Sequence, residues 1–211
     1  MASISVEHVS LTIGAAQILR DISVQFEAGE IHGIAGRNGS GKTMLMKCIC
    51  GFIRPTAGRI VVDGNQVGRD VDFPPDLGLL IETPGFIPYY SGLKNLELLA
   101  AVNRRASKER LNACMELVGL GDAKGKRVSR YSMGMRQRLG IAQAIMEDPQ
   151  LLILDEPLNG LDEQGVEDIR VLLLDLKGQG KTILLSSHNG EDIDLLCDSV
   201  CKMAGGVLTK Q

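Results

Sequence analysis

Residues 36–43, GRNGSGKT, constrain this chain more than any other stretch. Before them, residues 29–35 (GEIHGIA) bring in a short apolar run that predicts a buried strand ending at Ala35. After them, residues 44–50 (MLMKCIC) are apolar except for Lys47 and predict a helix packed on a sheet. A strand, a glycine-rich turn and a helix opening at residues 41–43 form the context of a phosphate-binding P-loop. Gly36, Gly39 and Gly41 are expected to take positive φ, so that N–H groups of the loop, Arg37, Asn38 and Ser40 included, point into one concavity. The helix N-terminus adds unpaired donors and a partial positive charge. Lys42 is expected to reach the β- and γ-phosphates of a nucleotide, and the Thr43 hydroxyl to hold Mg²⁺.

The whole chain narrows the class. Its 211 residues suffice for one domain with a sizeable core. There is no Trp, so the core must be aliphatic, as suits Val/Ile/Leu-rich parallel strands. A net charge of −3 gives no basic face for nucleic acid, and none is expected as a partner. No apolar run approaches the roughly 20 residues that span a bilayer. The opening MASISVEHVS reads as neither a signal nor a transit peptide. Five cysteines lie in helix- or strand-like runs without paired metal-type spacing, which predicts reduced, buried thiols.

In chain order, residues 3–9 and 22–26 alternate as half-buried strands, joined by a connection with Gly14 and Ala15-Ala16, and predict an antiparallel sheet beside the P-loop core. Residues 58–64 predict a strand closed by Asp63-Gly64, and residues 77–81 a short buried one. Helices are expected from Leu93, with Ser91 near its start, and from Ser107 to Gly119. The basic loop 121–130 reads as a solvated surface. Ser132 is placed to cap a helix that Asp148-Pro149 ends, and Asp162 to cap another. Residues 182–186 predict a buried strand followed by His188, and a short helix, a strand and a Gly205-Gly206 turn finish the chain.

The apolar strand LLILDEP, residues 151–157, ends in two acids. A carboxylate in such a place is costly unless something compensates its charge. Asp155 answers to Mg²⁺, shared with Thr43. Glu156, beyond the γ-phosphate, is placed to orient or deprotonate an attacking water.

GRNGSGKT, YSMGMRQRLGIA, LLILDEPLNGLD and LLSSH, in this order, resemble the nucleotide-binding subunit of an ATP-binding cassette (ABC) transporter across essentially the whole chain. YSMGM stands where that family has its signature, residues 159–162 where it has the D-loop, and His188 where it has the switch histidine. The resemblance implies an α/β fold: a P-loop NTPase core with a mostly parallel sheet, an antiparallel β subdomain, and an inserted α-helical subdomain at about residues 84–147. Residues 1–83 and 148–211 would make up the rest. It implies an ATPase that uses ATP and Mg²⁺, works in a head-to-tail dimer with itself or a homologous subunit, and energises a separate integral membrane permease from the cytoplasmic face. Ser132 and Gly134 would then act on the partner's nucleotide, Asp162 of the D-loop would belong to the nucleotide-binding set, and His188 would act on the γ-phosphate. Signatures of the YSMGM kind look like the branch that exports drugs and antimicrobial peptides.

Four positions depart from the family pattern. Ile13 stands where an aromatic residue stacks on adenine, Glu82 where a glutamine follows the 77–81 strand, and Met133 and Met135 replace glycine and glutamine of the signature. Glu82 retains an oxygen for Mg²⁺ but adds negative charge beside the phosphates. The rival readings are a soluble ABC-type ATPase unconnected to transport, a small-molecule P-loop kinase and a binding-only cassette. The first usually carries a long coiled coil or paired cassettes, the second leaves YSMGM and LNGLD without a role, and the third sits poorly with Glu156 and Ser132. With no aromatic at Ile13, phosphates and Mg²⁺ are expected to dominate binding. ATP and GTP should therefore differ by under about 1.5 kcal/mol, roughly tenfold, in a competitive nucleotide titration; a hundredfold preference would mean that another residue reads the base.

Overall fold

The computed structural model describes residues 2–82 and 85–211. Two sheets organise it. The first is antiparallel: β1 (Ile4–Ile13) pairs with β2 (Ala16–Phe26) on one side and with β4 (Ala57–Val62) on the other, and β4 pairs with β5 (Asn65–Gln66) through the turn at Asp63-Gly64. The second has six strands in the order β10 (Val207–Lys210), β9 (Ser199–Ala204), β3 (Ile31–Ala35), β8 (Thr182–Ser187), β7 (Leu151–Asp155) and β6 (Leu77–Leu80). All of its pairings are parallel except that of β10 with β9.

Both first strands run longer than the sequence pattern predicts. The pairing of β1 with β2 shifts register between Val6 and Val9 and again on either side of Leu11, and His8 sits at φ 51°. Such irregularities break the two-residue alternation on which the prediction depends, while the ladder itself continues. A further strand, β10, follows Gly205-Gly206; its sequence VLTK is too short and too exposed to show a period.

The central parallel strands β3, β7 and β8 are buried on both faces, which explains their largely apolar sequences. In β7, Leu151 and Ile153 face a cluster with Ile34, Leu184 and the inner residues of the antiparallel sheet. The helix α1 (Lys42–Ile49) fills the space between the two sheets with Leu45, Met46 and Ile49. Leu152 and Leu154 face the opposite way, into a cluster shared with α2 (Gly92–Asn103), α3 (Lys108–Leu117), α4 (Met133–Ile145), α5 (Glu163–Gly178) and α6 (Gly190–Leu196). Four helix starts carry the side-chain caps that the sequence suggests. Ser91, Ser107, Ser132 and Asp162 accept from the backbone N–H groups of Lys94, Arg110, Met135 and Gly165, contributing about 1 kcal/mol each. The basic loop holds two turns of 3₁₀ helix, with Val128 buried and Lys126, Arg127 and Arg130 exposed. The expected boundary between core and helical segment, at residues 83 and 84, lies outside the described residues.

Register places the chemistry. Ala35 at the end of β3 is level with Ser187 of β8, and Asp155 at the end of β7 is level with Ser186. The loops that leave β3, β7 and β8 therefore emerge side by side at the carboxyl edge of the sheet, where open α/β sheets bind their ligands.

All five cysteines are free, and all but Cys197 are buried. Burial pushes the thiols of Cys48 and Cys197 up to about 12. On the order of 10⁻⁴ of either thiol is then ionised at pH 8, against about a quarter in an unfolded chain. Alkylation with iodoacetamide at pH 8 should leave these two sites essentially unmodified in the native protein and label them rapidly in denaturant, as peptide mass mapping would show.

Candidate nucleotide-binding site

The loop between β3 and α1 owes its shape to two glycines for different reasons. Gly41, the residue before α1, has φ 114°, a conformation that L side chains rarely adopt. Gly36 does not take the positive φ expected of it. Its requirement is space, because a Cβ there would stand 2.5 Å from the Met203 carbonyl oxygen and 2.9 Å from Ser40 Oγ. Gly39 does take positive φ, at 78°. The loop is pinned from outside as well: Gly206 N–H donates to the Ser40 carbonyl, and Arg20 N–H to that of Gly206.

Inside the loop a buried hydroxyl is left unpartnered and a buried ammonium turns back to the loop's own carbonyls. Ser40 Oγ is buried without a hydrogen-bond partner. Lys42 is 5% exposed, and its ammonium donates to the carbonyls of Gly36 (2.7 Å) and Arg37 (3.4 Å). No side chain caps α1 and no acid occupies its first turn, so its first N–H groups are left for an anion. A buried cation ringed by carbonyls and a bare helix start fit a phosphate group. The cleft they open into measures about 400 Å³ and runs from Ile18 along the loop to Asp155 and Glu156.

The two acids separate in role. Asp155 accepts from Thr43 Oγ1 (2.6 Å) with one oxygen and from Ser186 Oγ (2.5 Å) with the other. Glu156 follows at φ 50°, and its N–H donates to Ser186 Oγ. Its carboxylate lies between two cationic or donating groups. Oε1 is 3.2 Å from Lys42 Nζ, an ion contact without hydrogen-bond alignment, and Oε2 is 2.7 Å from His188 Nδ1. A carboxylate only accepts, so Nδ1 carries the proton of that imidazole. Among the described residues no group of three or more His, Cys, Asp or Glu is placed to hold a metal by itself. One hydroxyl and one carboxylate, completed by phosphate oxygens and water, are instead the donor set that suits Mg²⁺.

Other predicted residues lie further out. Ile13 is 51% exposed at the hairpin tip, whereas Ile18 lines the cleft. The signal for Ile18 was an apolar residue in the next strand, hidden because the strand's start was read too late. Glu82 is exposed, at φ 60°, and holds Lys47 Nζ at 2.5 Å. Ser132 and Gly134 sit together at the start of α4, and neither lines this chain's own cleft. Asp162 caps α5 and stands 3.5 Å from Arg138 Nη2. Two contributors escaped sequence reasoning. Ser186 joins Asp155 to the Glu156 backbone, and Gln137 donates to the Glu156 and Pro157 carbonyls. A serine in a strand and a glutamine in a helix carry no signal until their neighbours are known.

These features define a P-loop protein built to bind and hydrolyse a nucleoside triphosphate. Comparison with known proteins carries this to the family. The model of the ABC transporter family matches residues 19–159. The chain is 42% identical over 205 residues to the uncharacterized ABC transporter ATP-binding protein YybJ of Bacillus subtilis, covering 97% of this chain and 94% of that one. It is 39% identical over 210 residues to the bacitracin transport ATP-binding protein BcrA of Enterococcus faecalis, covering 99% of this chain and 68% of that one. An ATP-binding subunit of an ABC transporter superposes with a TM-score of 0.88 at 26% identity, covering 99% of this chain and 89% of the other. The dimeric cassette MJ0796 bound to ADP and phosphate gives 0.88 at 22% identity, covering 99% and 97%. The chain belongs to the ABC transporter family, as an ATP-binding subunit with ATPase function.

The crowding at Gly36 can be tested directly. Gly36→Ala forces either the loop or the end of β9 to move, at a cost of about 1–3 kcal/mol. Thermal unfolding should come several degrees earlier, and ATP should bind about tenfold more weakly. An unchanged melting point with unchanged affinity would show that the close approach is not maintained in solution.

Proposed function

We propose that this chain hydrolyses Mg²⁺-ATP to drive a separate permease, through head-to-tail closure of two ATPase subunits at the cytoplasmic face of a membrane. The observation that carries the reading is the Lys42–Glu156–His188 cluster beside the Thr43–Asp155 pair. It sets a buried cation, an acceptor for a proton and an imidazole around one point at the mouth of the P-loop. Supporting the transport reading, relatives over nearly the whole chain are named as transporter subunits. No helix among the described residues is long and apolar enough to cross a membrane. The BcrA relatives are named for bacitracin transport, which supports an antimicrobial-peptide class of cargo.

In this reading the 36–43 amides and Lys42 hold the β- and γ-phosphates, with the Lys42 ammonium turning from the Gly36 and Arg37 carbonyls to phosphate oxygens. Thr43 and Asp155 hold Mg²⁺, which neutralises charge on the β- and γ-phosphates. Glu82 joins them only on releasing Lys47. Glu156 accepts the proton of a water whose oxygen attacks the γ-phosphorus, and the bond to the ADP oxygen breaks. His188 orients the Glu156 carboxylate through Nδ1–H and is placed to turn toward the γ-phosphate. Residues 84–147 form the helical subdomain, and Ser132, Gly134 and Asp162 serve the nucleotide held by the partner copy. An exposed helix start capped by Ser132 suits a γ-phosphate arriving from outside the chain.

Glu156→Gln keeps the size and the backbone bonds of the residue but removes the proton acceptor. ATP binding should persist while hydrolysis falls by roughly 10²-fold or more, and ATP should then hold a dimer by size-exclusion chromatography. Phosphate release within twofold of wild type would remove Glu156 from this role.

A further inference from the structure

The segment after β7 lies along the first turns of α4, held by three contacts in sequence. Gln137 Nε2 donates to the carbonyls of Glu156 (2.9 Å) and Pro157 (3.1 Å). One turn earlier, Gly134 comes so near the Gly160 carbonyl that a Cβ at residue 134 would stand 2.9 Å from it, and the Met133 side chain covers Gly160. One residue beyond Gln137, Arg138 Nη2 lies 3.5 Å from Asp162 Oδ1. A single helix thus carries both the Ser132–Gly134 turn and the support of the loop that begins with Glu156.

That support falls where the backbone needs it. Glu156 at φ 50° occupies a left-handed conformation that costs a non-glycine residue free energy and persists only where its surroundings over-determine it. Its N–H is taken by Ser186 Oγ, and its carbonyl accepts from Gln137 Nε2 and from the Asn159 N–H three residues on. Without the Gln137 bond only the local turn to Asn159 holds that carbonyl, the peptide has more room to relax, and the carboxylate is less firmly kept between Lys42 and His188.

We infer that Gln137 is a positioning residue that makes the alignment of the Glu156 carboxylate depend on the seating of the same chain's Ser132–Gly134 turn. The inference rests on the proposed function, in which that turn meets the nucleotide of the partner copy. A signature turn seated on one nucleotide then aligns the general base at the other, and hydrolysis becomes cooperative in ATP. The two-state element is α4 with its attached loop, biased by nucleotide at either site.

The test uses the full chain with two variants. Gln137→Met keeps the bulk and loses the donor. It should lower kcat about tenfold, leave ATP affinity within twofold, and bring the Hill coefficient for hydrolysis from above 1 in wild type to about 1. Gln137→Glu should lose as much at pH 8 and regain part of its activity relative to wild type as the pH falls to 5.5, because only the protonated acid has an O–H to donate to one of the two carbonyls, and those carbonyls favour the protonated form. Wild-type kcat in Gln137→Met, or a loss with the Hill coefficient unchanged, overturns the inference. If Gln137→Met melts more than about 5 °C early, the Gln137→Glu to wild-type ratio decides alone, and a ratio flat across pH overturns it. Should wild type bind ATP without hydrolysing it, the proposed function fails and this inference with it. Hydrolysis by wild type with Gln137→Met unaffected sinks the inference only.

Discussion

The site depends on one buried charge. Lys42 is almost wholly removed from water, and an ammonium so placed must be surrounded by acceptors or lose its charge. The Gly36 and Arg37 carbonyls and the Glu156 carboxylate supply them. That arrangement dictates much else: a loop tight enough to turn its own carbonyls inward, a glycine at position 36 to let it pass the end of β9, and a strand end that delivers a carboxylate to within 3.2 Å. The same arrangement exchanges readily for a nucleotide. Phosphate oxygens are stronger acceptors for an ammonium than loop carbonyls, so binding replaces the internal contacts by better ones rather than creating a site afresh.

Geometry around Glu156 follows from the sheet. Parallel strands buried on both faces leave little room for polar groups that are not internally bonded, so functional residues gather at the carboxyl edge. There the register of β3, β7 and β8 sets Asp155 against Ser186, and Ser186 in turn holds both the Asp155 carboxylate and the Glu156 N–H. One hydroxyl thus separates two adjacent acids into different tasks. Asp155 is turned toward Thr43, and Glu156 toward Lys42 and His188. The Arg170–Asp192 pair between α5 and α6 extends the framework, since Asp192 also meets Ser187 beside the histidine.

Coupling within the chain comes from α4. Its start is exposed and caps itself with Ser132, while its next turn holds the loop after β7 through Gln137 and Arg138. In the proposed dimer, a rigid helix with one end at a partner's site and its flank against the Glu156 loop of its own chain links two sites without any additional moving part. It also accounts for the tight packing of Gly134 on Gly160, where any side chain would lift the helix from the loop.

Much of this was legible in the sequence, for a physical reason. A P-loop, an apolar strand ending in acids and serine or aspartate helix caps are local devices, set by backbone conformation and short-range hydrogen bonds, and their residues stand next to one another in the chain. The central parallel strands were equally visible, because burial on both faces leaves a largely apolar run. What adjacency could not show was decided by the tertiary structure. The irregular pairing of β1 and β2 erased their alternation and put Ile18 rather than Ile13 against the P-loop cleft. Glu82 met Lys47 across 35 residues, Gly36 proved to need space and not a left-handed turn, and Ser186 and Gln137 acquired roles only from strand register and helix packing. Local sequence dictates which groups can do chemistry; long-range packing dictates which of them meet, because only the folded chain brings residues far apart in sequence within hydrogen-bonding distance.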